Sequence, residues 1–307
     1  MGIKERKKVI KILSVFIIII IFSIFLFLLI YPSKNNCFDK KTNKLNCPEH
    51  RSPPKFTMNL LNETNNYSTY KIIYYSKPFL DQESKIYGLL YVPKNEGMIS
   101  KELIPGIVFL PGGGVKKEEE PAGLALLSLG YAVLVIDQRG IGETGGFYPN
   151  YDQDRALFES KDESIQLLGV YDSLRAIDVL KELDFIDKKN INIGGSSMGG
   201  RYAIIAAGVD YNINKAIIIS SAGFHMQTQN NVPKYYLAID PDEYIKDISP
   251  RKLIMIHSTN DTTISINDAK FTFSLANEPK IFYSIEECNH GYCDKMFPIL
   301  AAELTSK

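Results

Sequence analysis

The 307-residue sequence predicts an α/β fold, a mostly parallel central sheet with helices on both faces, preceded by one transmembrane helix. Three observations carry this. An uncharged apolar run fills residues 12–30; short β-branched runs alternate with helical stretches from about residue 68; and a Gly/Ser-rich turn joins one such run to the next helix. The chain is 45% hydrophobic, too apolar for disorder, and its 4 Cys are too few for a disulfide scaffold. With 35 basic and 35 acidic side chains it lacks the basic footprint of a nucleic-acid binder, so no nucleic-acid partner is expected.

Residues 1–11 form a basic tip, with Lys4, Arg6, Lys7, Lys8 and Lys11 against Glu5. The segment 12–31 follows as a membrane anchor. Nineteen residues at about 1.5 Å each reach roughly 28 Å, close to the thickness of a bilayer core. The run exceeds the apolar core of a cleaved signal peptide, and Tyr31-Pro32-Ser33-Lys34 offers no small-x-small cleavage site. The basic cluster abutting the anchor predicts a cytoplasmic N-terminus and an extracytoplasmic domain, although Lys34, Lys40, Lys41 and Lys44 weaken the contrast. Cys37 and Cys47, and Cys288 and Cys293, form two close pairs suited to an oxidising compartment; three disulfide pairings are open in principle.

Residues 32–67 read as a polar, Pro-containing stalk, with acceptor triplets for glycosylation at Asn62 and Asn66. Residues 68–307 read as one α/β domain. Thr69–Tyr75 and Lys85–Val92 predict an opening antiparallel pair. Strands are then expected at Ile104–Leu110, Ala132–Ile136, Asn190–Ile193, Ala216–Ser220, Leu253–His257 and Lys280–Ile285. Helices are expected near 121–129, 160–183, 198–208, 267–276 and 295–304. Reactive groups in such sheets collect on loops at the carboxyl ends of the strands.

The segment Asn192-Ile193-Gly194-Gly195-Ser196-Ser197-Met198-Gly199-Gly200 holds G-x-S-x-G at a strand–helix junction. A nucleophile on so sharp a turn needs neighbours without β-carbons, which Gly195 and Gly199 supply, and the helix N-terminus faces developing negative charge. Ser197 is therefore the expected nucleophile; Ser196 would be out of register with the two glycines. The run Gly112-Gly113-Gly114 lacks the spacing of a phosphate-cradling loop.

Residues from about 70 to 305 resemble the α/β-hydrolases, in particular the dienelactone hydrolase, acyl-peptidase and acetyl-esterase-like branches. The resemblance rests on this elbow, on Pro105–Gly114 (PGIVFLPGGG), Asp137–Gly146 (DQRGIGETGG) and Pro250–Ile264 (PRKLIMIHSTNDTTI), and on Asn289-His290-Gly291. It implies Ser–acid–His hydrolysis of an acyl bond. It places the base at His290 rather than His50, His225 or His257, and the acid at Asp261 rather than Asp268, Glu286 or Glu287. The oxyanion donors it implies are the N–H of Met198 and one of Gly112 or Gly113, with Pro111 standing where the family usually has His. Arg139 is implied to be buried against carboxylates. Lys116–Glu120 (KKEEE) reads as a charged surface approach to a helix, and Glu143, Phe147 and Tyr148 read as residues of a solvated loop, with substrate contact as the alternative. A Cys288–Cys293 disulfide would close a small loop around His290.

The sequence therefore predicts a membrane-anchored serine hydrolase that cleaves an ester or related acyl bond in a small acyl substrate. Lipid contact is expected through residues 12–31, and neither a cofactor nor a metal is expected. Serine peptidase or thioesterase activity on the same triad, or an inactive hydrolase fold used as a binding module, are the alternatives. The 24 residues between His225 and Pro250 leave room for at most a small lid.

Overall fold

A computed structural model describes residues 37–39, 41–47, 51–79, 82–94, 103–161, 164–226 and 229–305. Nine strands form the main sheet: β3 (Phe56–Glu63), β4 (Tyr67–Phe79), β5 (Gln82–Pro93), β6 (Ile104–Leu110), β7 (Ala132–Ile136), β8 (Ile186–Ser196), β9 (Lys215–Ile219), β10 (Lys252–Ser258) and β11 (Lys280–Ile285). Their order is β11-β10-β9-β8-β6-β7-β5-β4-β3. The six strands from β11 to β7 run parallel, and β5, β4 and β3 complete the sheet antiparallel. A two-stranded hairpin, β1 (Phe38–Asp39) with β2 (Lys44–Leu45), stands outside it.

Parallel strands need crossover helices, and these cover both faces. On one face α1 (Ala122–Ser128) and α7 (Phe297–Thr305) pack Ala122, Leu126, Leu300 and Leu304 against Ile107, Phe109, Val133, Val135, Ile217 and Ile254. On the other, α3 (Ile165–Glu182) and α4 (Met198–Val209) lie against each other and against β6 and β8. Both side-chain sets of the central strands are thus enclosed, and all five residues of β7 are buried. This is why the β-branched runs of the centre were legible as strands.

The helix expected over 160–183 is two, α2 (Tyr151–Lys161) and α3. The break is made by hydrogen bonds. Ser164 caps α3, its Oγ accepting from Leu167 N at 3.2 Å, and buried Asp154 accepts from Ile165 N at 2.6 Å and from the Ser164 hydroxyl at 2.7 Å. Two acceptors satisfying orphan N–H groups outweigh the continuity of the apolar pattern.

The expected stalk at 32–67 is corrected from residue 38 onward, because residues 38–307 form one compact unit. β3 pairs with β4 along the sheet edge; Asn43 donates to Lys234 O; and Arg51 bridges Asp178 and Asp210. The polar composition hid an edge strand that leaves most of its side chains in solvent. The region expected to be a small lid is likewise packed. It holds α5 (Lys234–Ile239), α5 is followed by two short 3₁₀ turns, and Tyr235, Tyr244, Ile245 and Ile248 are buried. Among the described residues no helix is long and apolar enough to cross a membrane. The basic tip, the anchor 12–31 and His50 lie outside the described residues.

Candidate active site

Ser197 sits between the end of β8 and the first turn of α4, with φ 54° and ψ −117°. That backbone is costly for a residue with a side chain, and its surroundings hold it there. Its N–H donates to Ile219 O at 3.0 Å and its carbonyl accepts from the Ser221 hydroxyl at 2.7 Å. The glycines work as expected. A β-carbon on Gly199 would lie 2.1 Å from Leu110 O, and one on Gly195 would lie 2.4 Å from the backbone of Gly199. Gly199→Ala should therefore destabilise the fold by about 3 kcal/mol, the upper range for overpacking, read as a lowered urea midpoint at unchanged slope. Ser196, the neighbouring hydroxyl, is 4% exposed and its Oγ has no hydrogen-bond partner. It is enclosed in the sheet and is not presented to substrate.

Asp261 follows β10 and His290 follows β11, two strands that are parallel neighbours, so their carboxyl ends lie at the same rim. His290 Nδ1 and Asp261 Oδ2 are 2.8 Å apart. The other carboxylate oxygen accepts from Thr263 N at 2.9 Å and Ile264 N at 3.0 Å. Burial pushes the Asp261 carboxyl up, but the Ile264 N–H, the His290 ring and the Thr263 N–H outweigh it and hold it below the ordinary value of 3.8. The carboxylate thus stays ionised beside the imidazole. Among the described residues the ring makes this one hydrogen bond, which leaves Nε2 unengaged, and Ser197 Oγ is not hydrogen-bonded to it. The structure brings Asp261 and His290 into direct contact, and places Ser197 at the same sheet end after β8, with β9 between that strand and β10. Ser220 Oγ reaches Gly291 O at 3.4 Å, tying the end of β9 to the loop that carries His290.

The Cys288–Cys293 disulfide brackets that loop, and the Ser258 hydroxyl at the end of β10 donates to Cys288 O. Cys37 and Cys47 are also disulfide-bonded and buried. His257 has the structural role its strand position suggests. It is 1% exposed, its Nε2 lies 2.9 Å from Ile264 O and 3.5 Å from Asp261 Oδ2, and Nδ1 has no partner. Burial holds this imidazole below its ordinary value of 6.5, with the Ile264 carbonyl and Asp261 offsetting only part of the effect.

A stability consequence follows from that shift. As pH falls below 6.5 the unfolded chain takes up a proton that the folded His257 refuses, so its contribution is complete above 6.5 and is lost as pH falls through the folded value. Glu120 acts in the opposite sense, because burial pushes its carboxyl up to about 7. Comparing His257→Gln with the unsubstituted chain cancels Glu120. The variant should lose less stability between pH 7.5 and pH 5, measured by urea midpoints.

The second candidate donor group lies beside the elbow. A β-carbon on Gly112 would lie 3.6 Å from Cβ of Ser197, and one on Gly113 would lie 3.7 Å from Sδ of Met198. Both ends of this loop are anchored by the residues after β7. Gln138 Nε2 donates to Pro111 O at 2.6 Å, and Asp137 accepts from Lys117 N at 2.9 Å and Lys117 Nζ at 2.8 Å. Lys117 corrects the surface reading of 116–120: its side chain is 1% exposed and also meets Glu118 and Glu143. Burial alone would lower its ammonium, but Asp137, Glu118 and Glu143 raise it above the ordinary lysine value. A lysine in a KKEEE run looks solvated because the carboxylate that draws it inward is 20 residues away. Arg139 is buried as expected, bonded through Nε and Nη2 to both oxygens of Asp172 at 2.6 and 2.8 Å.

His225, one of the imidazoles passed over for the base, is held between Asp242 (2.9 Å) and Asp268 (3.3 Å). Asp268 also takes part in the Ser265 cap of α6 (Ile266–Ser274). Glu286 and Glu287 are exposed, Glu287 pairing with Lys295. Sequence reasoning passed over Arg201, one turn after Ser197, though a signal was present: it is the one charged residue of α4 (MGGRYAIIAAGV).

The strand order, the strained serine between β8 and α4, and the hydrogen-bonded Asp261 and His290 on the loops after β10 and β11 define an α/β-hydrolase fold. Residues 55–222, more than half of the chain, match the acetyl xylan esterase (AXE1) family, and the chain belongs to that family of serine hydrolases. Acetyl esterase Axe7A of Xylanibacter ruminicola is 26% identical over 192 residues, 57% of this chain and 41% of that protein. The putative hydrolase YtaP of Bacillus subtilis is 31% identical over 132 residues, 42% of this chain and 41% of its own length. The chain thus spans half or less of the curated relatives it matches. Among solved structures, an acetyl xylan esterase from Paenibacillus sp. R4 superposes with TM-score 0.67 at 19% identity, covering 82% of this chain and 89% of that one. Acetyl xylan esterase 1 from Thermoanaerobacterium sp. JW/SL YS485 gives 0.66 at 13%, covering 83% and 89%. At these identities the likeness is one of fold.

Proposed function

We propose that this chain is a membrane-anchored serine esterase that removes a short acyl group through Ser197, His290 and Asp261. The observation that carries the reading is the 2.8 Å contact between His290 Nδ1 and an ionised Asp261, at the same sheet end as a serine held at φ 54°. His290 Nε2 takes the proton of the Ser197 hydroxyl as Oγ attacks the ester carbonyl, forming a C–O bond and an oxyanion. The N–H groups of Met198 and of Gly113 or Gly112 receive that charge, and the helix N-terminus adds to the field. His290 returns the proton to the leaving alcohol. A water, deprotonated in the same way, then releases the acid and regenerates the serine. The gap between Ser197 and His290 closes when substrate fills the site, as catalytic hydrogen bonds commonly tighten on binding.

The name of one relative, acetyl esterase Axe7A, supports an acetyl ester, and those of the two solved acetyl xylan esterases support one carried on a carbohydrate. Residues 12–31 act as the anchor, with the N-terminus cytoplasmic and the domain outside; their apolar length and the basic residues before them support this. The disulfide-bonded cysteines agree with an oxidising compartment. A panel of p-nitrophenyl acetate, butyrate and octanoate beside aminoacyl anilides tests the chemistry. Acetate should be turned over fastest, and preferential anilide cleavage would replace the esterase by a peptidase. Protease added to intact cells should remove the domain; protection until lysis would reverse the orientation.

A further inference from the structure

The arginines among the described residues divide sharply by what they touch. Arg51, Arg139, Arg155 and Arg175 each pair with a carboxylate. Arg251 uses its guanidinium on the carbonyls of Asp210, Ile213 and Asp247. Arg201 does neither in full. Its Nε donates to Ala222 O at 2.9 Å and Nη1 to the Tyr151 hydroxyl at 3.2 Å, while Nη2 has no hydrogen bond among the described residues. No described carboxylate forms an ion pair with it. The guanidinium carbon lies 4.3 Å from the centre of the Phe224 ring, and Tyr151 stands edge-on to that ring at 5.6 Å. The cation is therefore held in a fixed orientation, half-buried, with Nη2 uncommitted among the described residues.

Its position gives this a use. Arg201 is four residues after Ser197, one helical turn or about 6 Å along α4, and its N–H bonds to Ser197 O at 3.2 Å. The loop whose Ala222 carbonyl it grips also supplies Ser221, which bonds to the same serine carbonyl. The Tyr148 hydroxyl donates to Met198 Sδ at 2.7 Å, which brings an exposed aromatic residue to the residue next to the nucleophile. A purely structural arginine in an otherwise apolar helix would be expected to have its charge neutralised. This one keeps Nη2 as a donor beside the reacting serine, with the Phe224 ring against the guanidinium.

We propose that Arg201 forms a subsite for a carboxylate carried by the ester substrate, with Phe224 and Tyr151 fixing the guanidinium. This rests on Ser197 being the attacking group and goes beyond it, since a plain acetyl ester has no use for the charge. A carboxylate on either the acyl or the alcohol part is recognised by the same charged donor, a charge-assisted N–H···O bond from Nη2.

Two matched pairs test it on the intact protein at low ionic strength. p-Nitrophenyl hydrogen succinate against p-nitrophenyl butyrate varies the charge on the acyl side; 4-acetoxybenzoate against 4-acetoxybenzamide varies it on the alcohol side. In one pair kcat/KM should favour the anionic ester by about tenfold or more, the scale of one charge-assisted hydrogen bond, and the preference should shrink with added salt. Arg201→Met should abolish that ratio, and Arg201→Lys should restore part of it. The salt dependence needs no variant, so a misfolded Arg201→Met leaves the proposal testable. Equal turnover within both pairs, or a preference that survives Arg201→Met, overturns it while leaving the esterase intact. Failure of all four esters would overturn the esterase reading and this subsite together.

Discussion

Ser197→Ala is expected to lower kcat for p-nitrophenyl acetate by about 10⁶-fold, the scale of losing the nucleophile of a serine hydrolase. The reason lies in the elbow. Neither neighbouring serine is presented in its place, because Ser196 is enclosed and Ser221 is engaged with the Ser197 carbonyl. In the proposed mechanism the three groups act as a unit, so adding His290→Ala to Ser197→Ala should cost almost nothing more. The unfolding midpoint of Ser197→Ala should not fall. A variant that keeps more than a hundredth of the activity would place the attack elsewhere.

Asp261→Asn is expected to cost about 10⁴-fold in kcat, with little change in KM. One oxygen of Asp261 accepts from Thr263 and Ile264, and an amide oxygen can go on doing so. The loop should therefore keep its shape. The other atom becomes an NH₂ facing His290 Nδ1, which must then accept rather than donate. The ring carries its proton on Nε2, the nitrogen that has to receive one from Ser197. Loss of the charge also removes the partner that stabilises the imidazolium formed during attack. Equal falls in kcat and kcat/KM on short esters would mark the loss as one felt in the transition state. A large rise in KM instead would mean that Asp261 shapes the pocket rather than the base.

Where physical constraints were local, the sequence was a sufficient guide. β6 and β7 run over the expected residues because enclosed strands demand continuous β-branched runs. The elbow was legible because steric demand at Gly195 and Gly199 is written in the residues themselves. The family resemblance supplied Asp261 and His290, and their mutual contact is a long-range fact that no spacing encodes. What escaped depended on partners distant in the chain. β3 is an edge strand made by pairing with β4; Lys117 is drawn inward by Asp137; the break between α2 and α3 is set by Asp154 accepting from residues 10 and 11 positions on. Arg201 was visible as a lone charge in an apolar helix, but its meaning depends on which carboxylates it fails to meet.

Covalent labelling tests the central claim most directly. The folded protein, treated with a fluorophosphonate and digested, should carry the phosphonyl adduct on Ser197, and labelling should slow in His290→Ala. A protein that hydrolyses esters but bears its adduct on any other residue, or bears none, would contradict the account.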